Sequence, residues 1–164
     1  MPRIDALLSE VTREVQTTRK HLVRVPADRM DWRPHAKSFT VGELGAHLVD
    51  CLRWVGPTFR SDELDLDATS VTPCAARGPA ELLEAWDAAV ADAEQAMIAC
   101  ADREASQSWR LRMRGKVWFE KSREAVLRDM TLSHMAHHRG QLSVYLRLLD
   151  IPVPATYGPT ADER

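Results

Sequence analysis

A chain of 164 residues and 18.5 kDa has the size of a single domain, and a hydrophobic share of 45%, a charged share of 28% and a mean hydropathy of -0.33 exclude disordered, fibrous and membrane-spanning classes. Lys and Arg (22) against Asp and Glu (24) leave a net charge of -2 and a pI near 6.3, so there is no global positive field to hold a phosphate backbone, and nucleic acid is not expected as a partner. Cys51, Cys74 and Cys100 are odd in number and form no CxxC pair, which argues against a disulfide framework or a thiolate zinc cluster. The opening segment MPRIDALLSEVTREV carries charges throughout and holds no apolar run for a signal peptide or anchor, so a cytoplasmic protein with no membrane contact is expected.

Apolar residues at Ile4, Leu7, Leu8, Val11, Val15, Leu22 and Val25 recur at helical spacing until Pro26, which predicts a first helix over about 4–25. The following loop, with Pro26 and Pro34, carries one large anchor, Trp32. Thr40 and Glu43 have the form of a capping box, and Leu44, Leu48, Cys51, Val55 and Phe59 predict a second helix from Val41 to Arg60. Residues 61–78 lack periodicity and read as a long connection able to rim a pocket. Pro79 suits the first turn of a third helix over 79–102, with Leu82, Leu83, Trp86, Val90, Ala93 and Met97 on one stripe.

Between the helices, SWRLRMRGKVWFEK alternates apolar and polar residues around Arg114-Gly115, the signal of a short β-hairpin. A fourth helix opens at Ser122 and carries Leu127, Met130, His134, Gln141, Leu142, Tyr145, Leu148 and Leu149 to Pro152. Four long helices predict an all-α four-helix bundle, closed by a Pro- and Gly-rich strap with a disordered end.

Three of six histidines, His134, His137 and His138, lie within five residues on the fourth helix. At about 100° per residue, His138 falls about 40° from His134, so both point at the core one turn apart, the spacing two ligands need to reach one ion. The HExxH pattern fails, because Met135 and Ala136 follow His134 and no glutamate lies between the pair to act as a base. His47 on the second helix is the natural third ligand, with Glu43, Asp50 and Cys51 as substitutes. Burying three imidazoles without a shared purpose would cost about 1–3 kcal/mol for each unpaired polar group, whereas an ion removes that penalty. Three neutral nitrogens leave positions open, as in catalytic zinc sites; zinc is the first choice, with nickel, copper or iron compatible with imidazole.

HMAHHRGQLSVYLRLLDIPVPATYG (134–158), with VPADRMDWRPHAKSFTVGELGAHLVD (25–50), resembles the DinB-like, or YfiT-like, family of metalloenzymes over nearly the whole chain. The resemblance implies one domain over 1–164, an antiparallel four-helix bundle that is usually a homodimer, and a metal held by His47, His134 and His138. The family includes bacillithiol transferases, mycothiol-dependent maleylpyruvate isomerases and damage-inducible members of unknown activity. The expectation is therefore a zinc or nickel protein that activates a thiol or water against a small-molecule substrate, as a thiol S-transferase or hydrolase, with a low-molecular-weight thiol as co-substrate. The alternative is a non-catalytic metal- or ligand-binding stress-response dimer.

No residue is singled out as a catalytic acid or base, which favours chemistry by a metal-activated nucleophile. His137 reads as packing beside the pair, Gly140 as a point of close helix approach, and Gln141 as an orienting amide. Arg53, Arg139 and Arg147 read as surface arginines paired with acids, while Trp54 and Tyr157 are candidate pocket walls.

Overall fold

The computed structural model describes residues 2–163. Among them four helical rods form the body. The first, α1 (Arg3–Leu22), buries Ile4, Leu7, Val11, Val15 and Leu22; it ends three residues before the predicted limit, and Val25 enters the core from the loop beyond. The second begins with α2 (Val41–Arg53), whose capping box forms as the sequence predicts: Glu43 N donates to Thr40 Oγ1 at 3.1 Å and Thr40 N donates to Glu43 Oε2 at 2.7 Å. The predicted single helix to Arg60 is interrupted at Trp54 and resumes as α3 (Val55–Arg60). Pro57 explains the break, since it offers no N–H to the carbonyl of Arg53 and its ring crowds that carbonyl.

The third rod, α4 (Pro79–Ala99), starts on the predicted proline and ends where Cys100 turns extended. The fourth is composite: α5 (Arg123–Val126), capped by Ser122 Oγ accepting from Ala125 N, a π-helical stretch over Leu127–Ser133, and α6 (His134–Leu148). Both α1 and α2 pack against α4 and α6, and α3 continues onto α4. Leu7, Leu22, Leu44, Leu48, Leu52, Leu82, Trp86 and Met97 are fully buried at these seams, each worth about 1.5–3 kcal/mol. Gly45 permits the close α2–α4 approach, for a Cβ there would lie 2.7 Å from a Leu82 methyl.

The hairpin forms as predicted from β2 (Ser108–Met113) and β3 (Lys116–Ser122), antiparallel, with a bulge between Leu111 and Arg112. Arg114 and Gly115 take positive φ, 55° and 68°, as a tight primed turn demands. A third strand, β1 (Glu63–Asp65), pairs parallel to β2 and was not predicted. Trp109 and Leu111 bury against Val126, a second small core roofed by Trp54, Leu64 and Met130. The fold is thus mainly helical with a three-stranded sheet, one strand more than the expected hairpin.

Several placements differ from expectation. The buried face of α6 centres on His138, Leu142 and Tyr145, which leaves Leu148 57% exposed. Gly140 is exposed and a Cβ there would meet nothing within 4 Å, so it mediates no close approach within the chain. Arg139 is buried, not superficial: it pairs with Glu14 at 2.8 Å, donates to Thr18 Oγ1 at 3.0 Å and bonds the hydroxyl of Tyr157. The strap is ordered through Glu163, because Asp162 accepts from Val153 N and pairs with Arg147, and Glu163 accepts from Ala155 N.

Candidate metal centre

Two rods bring the histidines together. α2 presents His47 and, one turn later, Cys51; α6 presents His134 on its first residue and His138 one turn on. Nε2 of His47 stands 3.4 Å from Nε2 of His134, and the His138 ring centroid lies 4.5 Å from that of His47 and 4.7 Å from that of His134. The Sγ of Cys51 and one nitrogen each of His47 and His134 lie within 4.8 Å of one another. Three imidazoles and one thiol therefore converge: the donor atoms of His47, Cys51 and His134 are the three that lie within 4.8 Å of one another, and His138 joins them by ring contact.

The donor set fits a divalent ion. Two imidazoles bound to a tetrahedral ion at about 2.0–2.1 Å place their nitrogens about 3.3–3.4 Å apart, the separation seen here between His47 and His134. His138 Nδ1 donates to Gln141 Oε1 at 2.7 Å, which leaves its lone pair on Nε2, the arrangement that orients metal-binding imidazoles. Burial, reinforced by the neighbouring imidazoles, pushes His138 down to about 4; burial and then His134 push His47 down as well. Both rings are thus neutral at pH 7 in the metal-free protein and ready to donate a lone pair. Burial, with Asp50 nearby, pushes the Cys51 thiol up to about 12, so it stands beside them as a neutral, unreactive thiol.

The other candidates fall away. Glu43 is committed to the helix cap, and Asp50 accepts from Cys74 N at 2.9 Å and pairs with Arg53 at 3.2 Å. His137 is exposed and packs edge-on against His138 at 4.9 Å between centroids. Tyr157 lies on the strap against Glu14 and Arg139, not over the histidines.

Two cavities open onto the cluster. One, of about 430 Å³, lies on the His47 side between α2 and the connection at 69–73, with Trp54 in its wall as the sequence suggested. The other, of about 260 Å³, lies on the His138 side among Lys37, Ser38 and Gln141. Phe39, 45% exposed, lines this second cavity with its ring 5.4 Å from that of His47 and 6.3 Å from that of His138. The 69–73 segment belongs to the connection that the sequence suggested could rim a pocket, whereas Phe39 gave no sequence signal, being one aromatic in an irregular stretch. Larger grooves along α1 hold no such convergence of donors.

A helical body with a small three-stranded sheet is a fold shared with solved proteins. The DinB family model matches residues 1–164, and the chain belongs to the DinB family. A DinB-like protein from Bacillus subtilis is similar with a TM-score of 0.71 at 14% identity, covering 97% of this chain and 99% of that one. A DinB-like protein from Bacillus cereus has a TM-score of 0.72 at 17% identity, over 96% and 100% of the two chains. A protein assigned to the DinB family from Exiguobacterium sibiricum has a TM-score of 0.64 at 21% identity, over 94% and 97%. At these identities the likeness establishes the fold. No curated protein matches the chain. No helix among the described residues is long and apolar enough to cross a membrane.

Proposed function

We propose that the protein is a metal-dependent enzyme in which His47, His134 and His138 hold one divalent ion, zinc first and nickel second, and a small-molecule electrophile is attacked by a thiol or water. The observation that carries this reading is the meeting of three imidazoles, with a nitrogen pair 3.4 Å apart, where His47 lines one cavity and His138 another. A bound ion supplies Lewis acidity that makes a thiolate or hydroxide available at neutral pH. The chain's own part is to position. Gln141 fixes the His138 ring, and Phe39 packs against the rings of His47 and His138.

Neither Glu43 nor Asp50 is free to act as a general base, which favours an activated nucleophile over side-chain proton abstraction. A low-molecular-weight thiol as co-substrate, a thiol S-transferase or hydrolase reaction, an antiparallel bundle paired as a homodimer, and a cytoplasmic stress-response setting complete the reading.

The test is consumption of an electrophile by metal-loaded protein with bacillithiol, mycothiol or glutathione. Turnover that disappears in His134→Ala supports the enzyme. Stoichiometric metal without turnover, with any thiol or with water, supports a non-catalytic binder, a reading to which the missing side-chain base also lends weight.

A further inference from the structure

The 430 Å³ cavity beside His47 is at the small end of the range for small-molecule sites, about 300–1,000 Å³. Its wall is mostly apolar: the Trp54 indole, Pro57, Leu64, and Val71 and Pro73 from the connection. Trp54 is held in place because it also packs against the Trp109–Leu111–Val126 core. The facing connection is bolted to α2 by Asp50, which accepts from Cys74 N at 2.9 and 3.2 Å. The cavity is therefore built from both sides.

Two charges line it, Asp50 and Arg53, and they are not equivalent. The Asp50 carboxylate is occupied by Cys74 N and by Arg53 Nη1. Arg53 uses only Nη1, toward Asp50 at 3.2 Å and the Thr72 carbonyl at 3.5 Å; among the described residues its Nε and Nη2 donors meet no acceptor, and the side chain is 44% exposed. The cavity thus offers a flat apolar wall, His47 at its inner end and one cationic fork with donors to spare.

We propose that this cavity takes a small organic anion with a flat apolar body, its carboxylate held by Arg53 and its far end turned toward His47. The direction of the reacting end rests on the metal-site reading; the binding does not, since its walls and its cation are made without an ion. A guanidinium fork pairs with a carboxylate by two parallel hydrogen bonds, and the indole supplies a stacking face for the body.

The test uses 2-naphthoate and its neutral analogue 2-naphthamide, titrated calorimetrically into metal-free and zinc-treated protein. The expected result is naphthoate binding to both forms, weakened about tenfold by Arg53→Gln. The amide, which lacks the charge, responds little to that substitution. Val71→Asp, at a 59% exposed position that folding tolerates, weakens naphthoate several-fold more than the amide. Circular dichroism verifies that each variant is folded, and Val71→Asp serves if Arg53→Gln is not.

Absence of naphthoate binding overturns the proposal, and so does binding indifferent to both substitutions. Binding that requires zinc and ignores Arg53→Gln would put the carboxylate on the ion, which also overturns it. Naphthoate bound in the predicted way by protein that takes up no zinc sinks the metal reading alone, and zinc uptake without naphthoate binding sinks the cavity proposal alone.

Discussion

Gln141 has one partner that matters, His138 Nδ1 at 2.7 Å, and that bond determines which ring nitrogen keeps its lone pair. Gln141→Leu keeps the helix but frees the ring to turn. It is expected to weaken metal retention about 10–100-fold in a chelator competition, with unfolding unchanged. Cys51 stands one turn from His47, yet its thiol resists ionisation up to about 12. With His47, His134 and His138 as the ligands, Cys51→Ala is expected to keep the metal that His134→Ala loses. A sulfur-to-cobalt charge-transfer band in cobalt-loaded protein, abolished by Cys51→Ala, would make the thiol a ligand instead. The helical pair His134–His138 was legible because a spacing of four on a helix is a geometric statement. Choosing among His47, Cys51, Asp50 and Glu43 was not, because all four lie near one face of α2; hydrogen bonds set Glu43 and Asp50 aside, while Cys51 stays beside His47 in the cluster.

Element by element, prediction succeeded where the local chemistry is self-contained. The Thr40–Glu43 box, the Pro79 start and the Arg114-Gly115 turn each need only neighbouring residues. It failed where the decision is made at a distance. β1 exists because β2 is there to pair with it, and three residues carry no period. The π stretch at 127–133 advances fewer degrees per residue than an α-helix, so the angles assumed from His134 back to Met130 shift, and Thr131 is buried while Met130 turns to the hairpin core. It also delivers His134 as the first residue of α6, at the edge of the buried face rather than its centre. The hairpin turn gives a check at this scale: Gly115 has φ 68°, so Gly115→Val is expected to destabilise the fold by about 1–2 kcal/mol, read from urea midpoints.

Across the molecule, the strap and α6 are tied to α1 by one polar network. Arg139 and Glu14 are both nearly inaccessible to solvent and share Tyr157, and His21 donates from Nδ1 to the Thr17 carbonyl at 3.0 Å with Thr156 at its other nitrogen. Glu14→Ala leaves the Arg139 charge buried and unpaired and is expected to cost about 3–5 kcal/mol. Burial, helped by the charges of Arg139 and Lys20 and opposed by the Thr17 carbonyl and Glu163, lowers the His21 pKa below its ordinary value. The sign follows: as pH falls below about 6.5 the unfolded chain takes up a proton that the folded chain refuses, so stability declines until the folded value is passed. His47 and His138 act in the same direction in metal-free protein. For Glu14, burial opposes ionisation, but the Tyr157 and Arg139 hydrogen bonds outweigh it and lower its pKa; that stability is present above about 4.5 and is lost as pH falls through the folded value. Urea unfolding between pH 8 and 5 is expected to lose less stability in His21→Gln than in the wild type.

The metal carries the functional account, and the measurement that tests it most directly is elemental analysis of untagged protein beside His47→Ala, His134→Ala and His138→Ala. The account predicts about one zinc or nickel per wild-type chain and none in the three variants, each still helical by circular dichroism. Wild-type protein that arrives without metal and takes up neither zinc nor nickel would contradict it, and would leave the three imidazoles as packing between α2 and α6.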